Sequence, residues 1–482
     1  MAKPRIRYVC AGCSHVSPKW AGRCPECGEW NTLAETSVPT TPVRMPGGPA
    51  VSVPLSELSG KAAVATSTGI GEVDRVLGGG LVPGSVTLVG GEPGIGKSTL
   101  LLQLAALMAS GGSRVLYISA EESAEQVGGR AGRLGLATEG VRVAALTEID
   151  PVEAECRSIE PQVLIVDSVQ TVVDAGLPSS QGSVPQVREV TARLVRLAKE
   201  RATAVILVGH VTKEGGLAGP RSMEHMVDTV LTFEGDREQD LRTLRVVKHR
   251  FGSTREVGLL RMGERGLVEL TDASRTLLAD RSPGVPGSIV VPLLEGSRTV
   301  LVEIQALVSR PVDAGGPRRV TQGVDPRRLA MVLAVLEQRV GVSLARHDIH
   351  VSAVGGVTAG EPAVDLALAL AVVSALTSWP VTTDTLAFGE IGLGGEMRAV
   401  RGSGTRIREA VRLGFDRVIA PPRGDDDDST CRVLVVDSLA AGLEVAGVLR
   451  GPEGLTGSIG VHGDRGSATQ GAGDGGPRDA AA

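Results

Sequence analysis

The strongest chemical signal in this 482-residue chain is the run Gly91-Glu92-Pro93-Gly94-Ile95-Gly96-Lys97-Ser98, followed directly by Thr99. Its spacing, Gly-x-x-x-x-Gly-Lys-Ser/Thr, is that of a phosphate-binding loop. Glycines let successive backbone N–H groups converge on phosphate oxygens at a helix N-terminus. Lys97 supplies a point charge for β- and γ-phosphates, and the Ser98 hydroxyl supplies a ligand for Mg2+. Residues 91–99 are therefore expected to cradle ATP with Mg2+.

The metal side of such a site calls for a carboxylate at the end of a buried strand. Val163-Leu164-Ile165-Val166-Asp167-Ser168 meets that need, placing Asp167 where open α/β sheets bind ligands. Hydrolysis also requires a group that orients or deprotonates water. In Tyr117-Ile118-Ser119-Ala120-Glu121-Glu122 the expected base is Glu121, with Glu122 as the alternative. Similar ATPases carry a Glu two residues beyond the strand end. His210, after the apolar run 204–208, stands where a polar side chain could sense the γ-phosphate. A plain hydrogen-bonding role for such a strand-end histidine competes with that reading.

A second chemistry is written near the N-terminus. Cys10-x-x-Cys13 is followed after ten residues by Cys24-x-x-Cys27. Four thiolates at this spacing make a closed tetrahedral Zn2+ site with no position for water, hence structural metal. Such a site can fold a segment too small for its own core. Trp20 and Trp30 are expected to cover it. Two redox Cys pairs are the competing reading, without the thioredoxin-like context they would need.

These groups need a frame. Residues 1–34 form the cysteine module, and 35–54, rich in Pro, Thr and Gly, read as a linker. From 55 to 275, β-branched runs at 86–89, 114–119, 163–167, 204–208 and 229–233 alternate with helical patterns. That alternation predicts a mostly parallel sheet between helices. A second α/β region spans 285–450, with helical patterns at 326–340, 363–376 and 406–413. The Gly-rich tail 451–482 has almost no large apolar residues and is expected to be disordered.

Composition removes several classes. A net charge of −5 from 50 basic and 55 acidic residues excludes a polycation, so any nucleic-acid contact must be local. With 2% aromatics, a long base-stacking surface is excluded. The apolar run 366–376 is about half the ~20 residues that a membrane span requires, and Asp365 borders it. Met-Ala-Lys-Pro-Arg at the start lacks the apolar core of a signal peptide. Cysteine usage is that of a metal site rather than a disulfide framework, and a cytoplasmic location with no membrane partner is expected.

The chain resembles the bacterial RadA/Sms DNA-repair ATPases. The resemblance rests on the cysteine pairs, Thr68-Gly69-Ile70-Gly71-Glu72-Val73-Asp74 ahead of Gly78-Gly79-Gly80, the phosphate loop, and Lys248-His249-Arg250-Phe251-Gly252. In the family that last motif usually reads Lys-Asn-Arg-Phe-Gly; here His249 replaces Asn. The resemblance implies a RecA-like core that assembles as a homo-hexamer, moves on single-stranded DNA, acts on branched DNA and cooperates with a recombinase of the RecA type. Lys248 and Arg250 would then reach a nucleotide held by the neighbouring subunit, a cation supplied in trans. Loops 174–186 and 211–224, the latter with Lys213 and Arg221, would face the pore and track phosphates without reading sequence. Branch migration in recombinational repair is the activity implied.

Residues 285–450 resemble the proteolytic domain of Lon-type proteases, through 302–308, Gly360-Glu361-Pro362-Ala363-Val364-Asp365 and Phe388-Gly389-Glu390-Ile391-Gly392-Leu393. Ala363 stands at the nucleophile position, and 395–409 contains arginines but no lysine. Arginine cannot replace a lysine base. The domain is expected to be a proteolytically inactive scaffold whose Arg318, Arg319, Arg327 and Arg328 could touch duplex DNA. A Lon-like ATP-dependent protease and a KaiC-like signalling ATPase are the rival readings.

Overall fold

Residues 5–10, 16–17, 19–26, 28–38, 54, 64–210, 222–235, 240–311, 316–422 and 431–449 are described by a computed structural model. Cys13, Cys27, Lys213, Arg221 and the tail 451–482 lie outside the described residues. The N-terminal strands β1 (Arg5–Cys10), β2 (Val16–Ser17) and β3 (Leu33–Val38) form an antiparallel sheet in the order β2-β1-β3. The first four positions of the expected linker therefore belong to β3.

The chain divides into two compact units, the first comprising residues 1–279, 294–301 and 355–357. Its main elements alternate as the apolar pattern requires: α1 (Gly71–Val76), β4 (Val86–Gly91), α2 (Lys97–Ser110), β5 (Val115–Ser119), α3 (Ala124–Leu134), β6 (Val141–Ala145), α4 (Ile149–Ile159), β7 (Val163–Asp167), α5 (Val184–Arg201), β8 (Ala204–His210), α6 (Ser222–Met226) and β9 (Thr229–Glu234). Strands β10 (Leu241–His249), β11 (Val257–Gly263) and β12 (Gly266–Glu269) follow, then α7 (Ala273–Leu277). One nine-stranded sheet runs β12-β11-β10-β9-β4-β8-β7-β5-β6. The six strands from β9 to β6 are parallel, and β10–β12 extend the sheet as an antiparallel meander.

Strand periodicity sorts the core onto two faces. Val89, Tyr117, Ile165 and Ile206 pack with α2 on one face, while Leu88, Leu116, Leu164, Val166 and Leu207 pack with α4 and α5 on the other. Burial on both faces is why these strands read as continuous apolar runs. Helix α3 starts at a capping box in which Ser123 accepts from the Gln126 backbone N–H and the Gln126 side chain accepts from the Ser123 N–H.

The second unit comprises residues 280–293, 302–354 and 358–482. Strands β13 (Ser288–Glu295), β14 (Arg298–Ser309), β15 (Arg319–Gln322), β16 (Asp348–Ala353), β17 (Thr385–Ala387), β20 (Arg417–Ala420) and β21 (Arg432–Val435) form a sheet in the order β15-β16-β14-β13-β17-β20-β21, and β18 (Glu390–Ile391) pairs with β19 (Met397–Arg398). Helices are α8 (Pro326–Val335), α9 (Asp365–Thr377), α10 (Ser403–Arg412) and α11 (Leu439–Ala446). The helical pattern at 326–340 is α-helical only as far as Val335, and Leu336–Val340 continues as a π-helical turn. Residues 365–374 of α9 are all buried, so the longest apolar run is a core helix. Among the described residues no helix is long and apolar enough to cross a membrane.

Candidate active site

The phosphate loop joins the end of β4 to the start of α2, and two close approaches explain its glycines. A Cβ on Gly91 would lie 2.5 Å from the Phe233 carbonyl oxygen, and one on Gly96, at φ +113°, would lie 2.7 Å from Met262 Cε. Arg242 Nε donates to the Ile95 carbonyl (3.1 Å), bracing the loop from β10. Glu92, Pro93 and Gly94 are exposed, and Ser98 and Thr99 are half-buried. Lys97 is buried, and its Nζ donates to the carbonyls of Gly91 (2.8 Å) and Glu92 (2.9 Å). Burial lowers its pKa, against the opposing pull of the nearby Asp167 and Glu121 carboxylates. Lys97 and both carboxylates thus stand near one another at the carboxyl ends of β4, β5 and β7.

Asp167 ends β7, where its Oδ2 accepts from Tyr117 Oη at 2.6 Å. Burial, followed by the charge of Asp167, holds the Tyr117 hydroxyl well above its ordinary pKa, so it remains a neutral donor. Nothing in the local pattern around Tyr117 singles it out, because its partner lies on a different strand. The two candidate bases have different partners. Glu122 pairs with Arg130 and its backbone N–H donates to Ser119 Oγ at 3.1 Å. Glu121 accepts from Ser168 Oγ at 2.6 Å. His210 is the last residue of β8, in register with Gly91 on β4, so its backbone adjoins the first residue of the loop.

Lys248 and Arg250 are elsewhere on the same sheet. Thr229 pairs with Thr87 at the start of β4 and with His249 on β10, whereas Phe233 pairs with Gly91 at the phosphate loop. The two cations therefore sit at the strand ends opposite to the loop of their own chain. Lys248 Nζ donates to the carbonyls of Glu224 (2.7 Å) and Val227 (2.8 Å), and burial together with the adjacent Arg250 charge lowers its pKa. Arg250, half exposed, pairs with Asp228 Oδ1 at 2.9 Å.

In the N-terminal module Cys10 and Cys24 are buried in one small cluster with Leu33, at the end of β1 and in the turn before β3. Neither is in a disulfide. Buried thiols brought together on such a short segment fit a soft metal ion. The expected cover is absent: Trp20 is 58% exposed and Trp30 71% exposed. Both rings flank Gly22 on the surface, and the Arg23 guanidinium stacks 5.9 Å from the Trp30 centroid. Aromatic area beside the cysteines faces water instead of the cysteines.

In the second unit Ala363 is buried in the 3₁₀ turn Pro362–Val364 and offers no nucleophilic atom. Two of the four arginines expected to meet DNA are committed within the fold. Arg328 Nη1 donates toward both oxygens of Asp365, which is fully buried (2.9 and 3.0 Å), and Arg319 donates to the carbonyls of Arg318, Leu344 and His347. Arg406, also fully buried, pairs with Glu361 and donates to the Pro292 carbonyl.

Fold and site define a RecA-like P-loop ATPase carrying a zinc-ribbon module before it and a ChlI/Lon-like α/β domain behind it. Three family models match in the same order: a rubredoxin metal binding domain over residues 8–35, an AAA domain over 62–216, and subunit ChlI of Mg-chelatase over 331–424. Across nearly the whole chain, the protein is 43% identical to the DNA repair protein RadA of Bacillus subtilis, covering 95% of this chain and all of the relative. The RadA proteins of Halalkalibacterium halodurans and Listeria monocytogenes are 45% and 44% identical over 92% of this chain and 99% of each relative. The chain belongs to the RadA family of DNA repair ATPases.

Proposed function

We propose that this ATPase is a DNA-dependent motor of recombinational repair, one that binds single-stranded DNA and promotes migration of branched intermediates as a homo-hexamer working beside a RecA-type recombinase. The observation that carries the reading is the division of one sheet. The groups that hold and attack a phosphate gather at one end, and the cationic motif Lys248–Arg250 lies at the other. A ring in which each subunit lends its motif to the next makes use of both ends, and the names of the relatives supply the DNA-repair context.

In this reading residues 91–99 wrap the triphosphate, and Lys97 leaves its loop carbonyls to meet the β- and γ-oxygens. Ser98 and Asp167 would hold Mg2+, which supplies charge neutralisation at the phosphates when bound. Tyr117 fixes the rotamer of Asp167. Glu121 takes the proton of the attacking water; the ion pair that Glu122 makes with Arg130 supports choosing Glu121 over it. His210 reads the γ-phosphate from the end of β8. Lys248 and Arg250 stabilise charge on the phosphoryl group of the adjoining subunit, so hydrolysis depends on assembly. Lys213 and Arg221 contact DNA phosphates. Cys10, Cys13, Cys24 and Cys27 hold a structural Zn2+, and the ion's role is to fold the module.

Peptide hydrolysis is disfavoured because Ala363 and the lysine-free stretch 395–409 leave neither nucleophile nor base. The cysteine pairs and the Lys-x-Arg-Phe-Gly motif weigh against a signalling autokinase. One comparison separates the three. ATP turnover is measured with and without single-stranded oligonucleotide, together with casein digestion and phosphate incorporation into the protein. DNA stimulation alone is expected; digested casein or labelled protein would support a rival.

A further inference from the structure

The loop that follows β7 is tied to the carboxylate of Glu121 through side chains to which the sequence reading gives no role. Ser168, fully buried, donates its Oγ proton to Glu121 Oε1 at 2.6 Å. Thr171 Oγ1 donates to the Ser168 carbonyl at 2.7 Å and lies 3.3 Å from Ser168 Oγ. Gln181 Nε2, from the far side of the loop, donates to the Thr171 carbonyl at 2.6 Å. The same loop is pinned as a unit. The Gln186 Nε2 lies 3.1–3.2 Å from the carbonyls of Asp174, Leu177 and Ser179, sharing its two protons among them, and Oε1 accepts from the Asp174 N–H, while Arg193 holds the Asp174 carboxylate at 3.2 Å.

Counting protons shows what this arrangement can do. A hydroxyl has one proton to donate and lone pairs to accept with. Ser168 spends its proton on Glu121, and Thr171 spends its own on the Ser168 carbonyl, so the 3.3 Å contact between the two hydroxyls has no proton of its own. If Glu121 swings toward a water at the γ-phosphate, the Ser168 proton needs another acceptor. Thr171 Oγ1 is within reach to be that acceptor. Whether Thr171 stays there depends on its backbone, which Gln181 holds from the loop.

We propose that Ser168 is a positioning residue for Glu121, and that the chain Glu121–Ser168–Thr171–Gln181 is the route by which a DNA strand seated on loop 174–186 raises ATP turnover. The inference rests on the reading of that loop as a DNA contact and specifies how contact is felt at the phosphate. With DNA on the loop, Gln181 fixes Thr171 as the alternative acceptor, and Glu121 is released to act on water.

The test uses the full chain with a single-stranded oligonucleotide, reading the ratio of turnover with DNA to turnover without it, and DNA affinity separately by fluorescence anisotropy. Thr171→Val keeps the branched shape and removes the hydroxyl. It is expected to lower the stimulation ratio by about threefold to tenfold, the range that one hydrogen bond supplies, with DNA affinity unchanged. Thr171→Ser is expected to restore the ratio, which a merely structural role for the side chain would not do. In Ser168→Ala the Thr171→Val change is expected to have no further effect, because the link is already cut. An unchanged ratio in Thr171→Val, or additive losses in the double variant, would overturn the proposal while leaving the motor reading standing. An unmodified chain that DNA does not stimulate would overturn both.

Discussion

Arg250→Ala tests turnover between neighbouring subunits most sharply. Within its own chain Arg250 lies at the level of Asp228, which adjoins Val86 on β4, and the phosphate loop begins five positions further on at Gly91. At ~3.3 Å per residue that is about 16 Å along the strand, directed away from the phosphates. The side chain therefore acts on another subunit's nucleotide if it acts on any. Arg250 is half exposed while its partner Asp228 is buried, so a phosphate in trans has to outcompete one carboxylate for a guanidinium that solvent already reaches. A cation supplied in trans contributes ~10³–10⁵ in rate. The variant is expected to bind ATP normally and lose nearly all turnover. Lys97→Ala is expected to be inactive for the opposite reason, keeping its finger and losing its loop. Co-assembled in equal amounts in a head-to-tail ring, roughly a quarter of the interfaces would unite an intact loop with an intact finger. Phosphate release by the mixture should therefore exceed the sum of the separate variants. Normal turnover by Arg250→Ala alone, or a mixture no faster than its components, would refute the reasoning.

Three further outcomes follow from the geometry. Tyr117→Phe removes the donor to Asp167 and, as a loss beside a metal ligand, should weaken the Mg2+ dependence of turnover by about tenfold; an unchanged Mg2+ titration would contradict it. Cys24→Ser should release one zinc per chain, measured by metal analysis, and unchanged metal content would refute the assignment. Arg328→Met strands the Asp365 carboxylate, which burial already pushes up to about 6 despite the opposing pull of Arg328. Because an acid with a raised folded pKa favours the native state when protonated, the loss, ~3–5 kcal/mol where the carboxylate is charged, should be larger at pH 8 than at pH 5. Urea unfolding with equal losses at both values would contradict this.

How much of the site was legible depended on how far apart in sequence its parts lie. The phosphate loop is a contiguous run, and Asp167 ends an uninterrupted apolar strand, so both could be read directly. The Tyr117–Asp167 bond joins residues 50 positions apart, and the Arg328–Asp365 pair joins residues 37 apart. No local pattern marks either pair, so Arg328 has the sequence signature of a surface cation. Strand β10 shows no apolar alternation for a different reason: Arg242 occupies one of its three buried positions, beside Leu244 and Val246. Trp20 and Trp30 stay exposed although they are the large apolar side chains nearest the cysteines in sequence. A module of this size has too little volume to bury them. The parallel core was legible because strands buried on both faces cannot avoid apolar runs.

The central claim is that ATP turnover drives this chain along DNA. A synthetic fork carrying a labelled strand, incubated with the unmodified protein and ATP, tests it most directly, with Lys97→Ala as the control. The account predicts that the labelled strand is displaced only when ATP can be hydrolysed, and that turnover rises when the oligonucleotide is added. A fork left paired, with ATP consumed at one rate whether or not DNA is present, would contradict it.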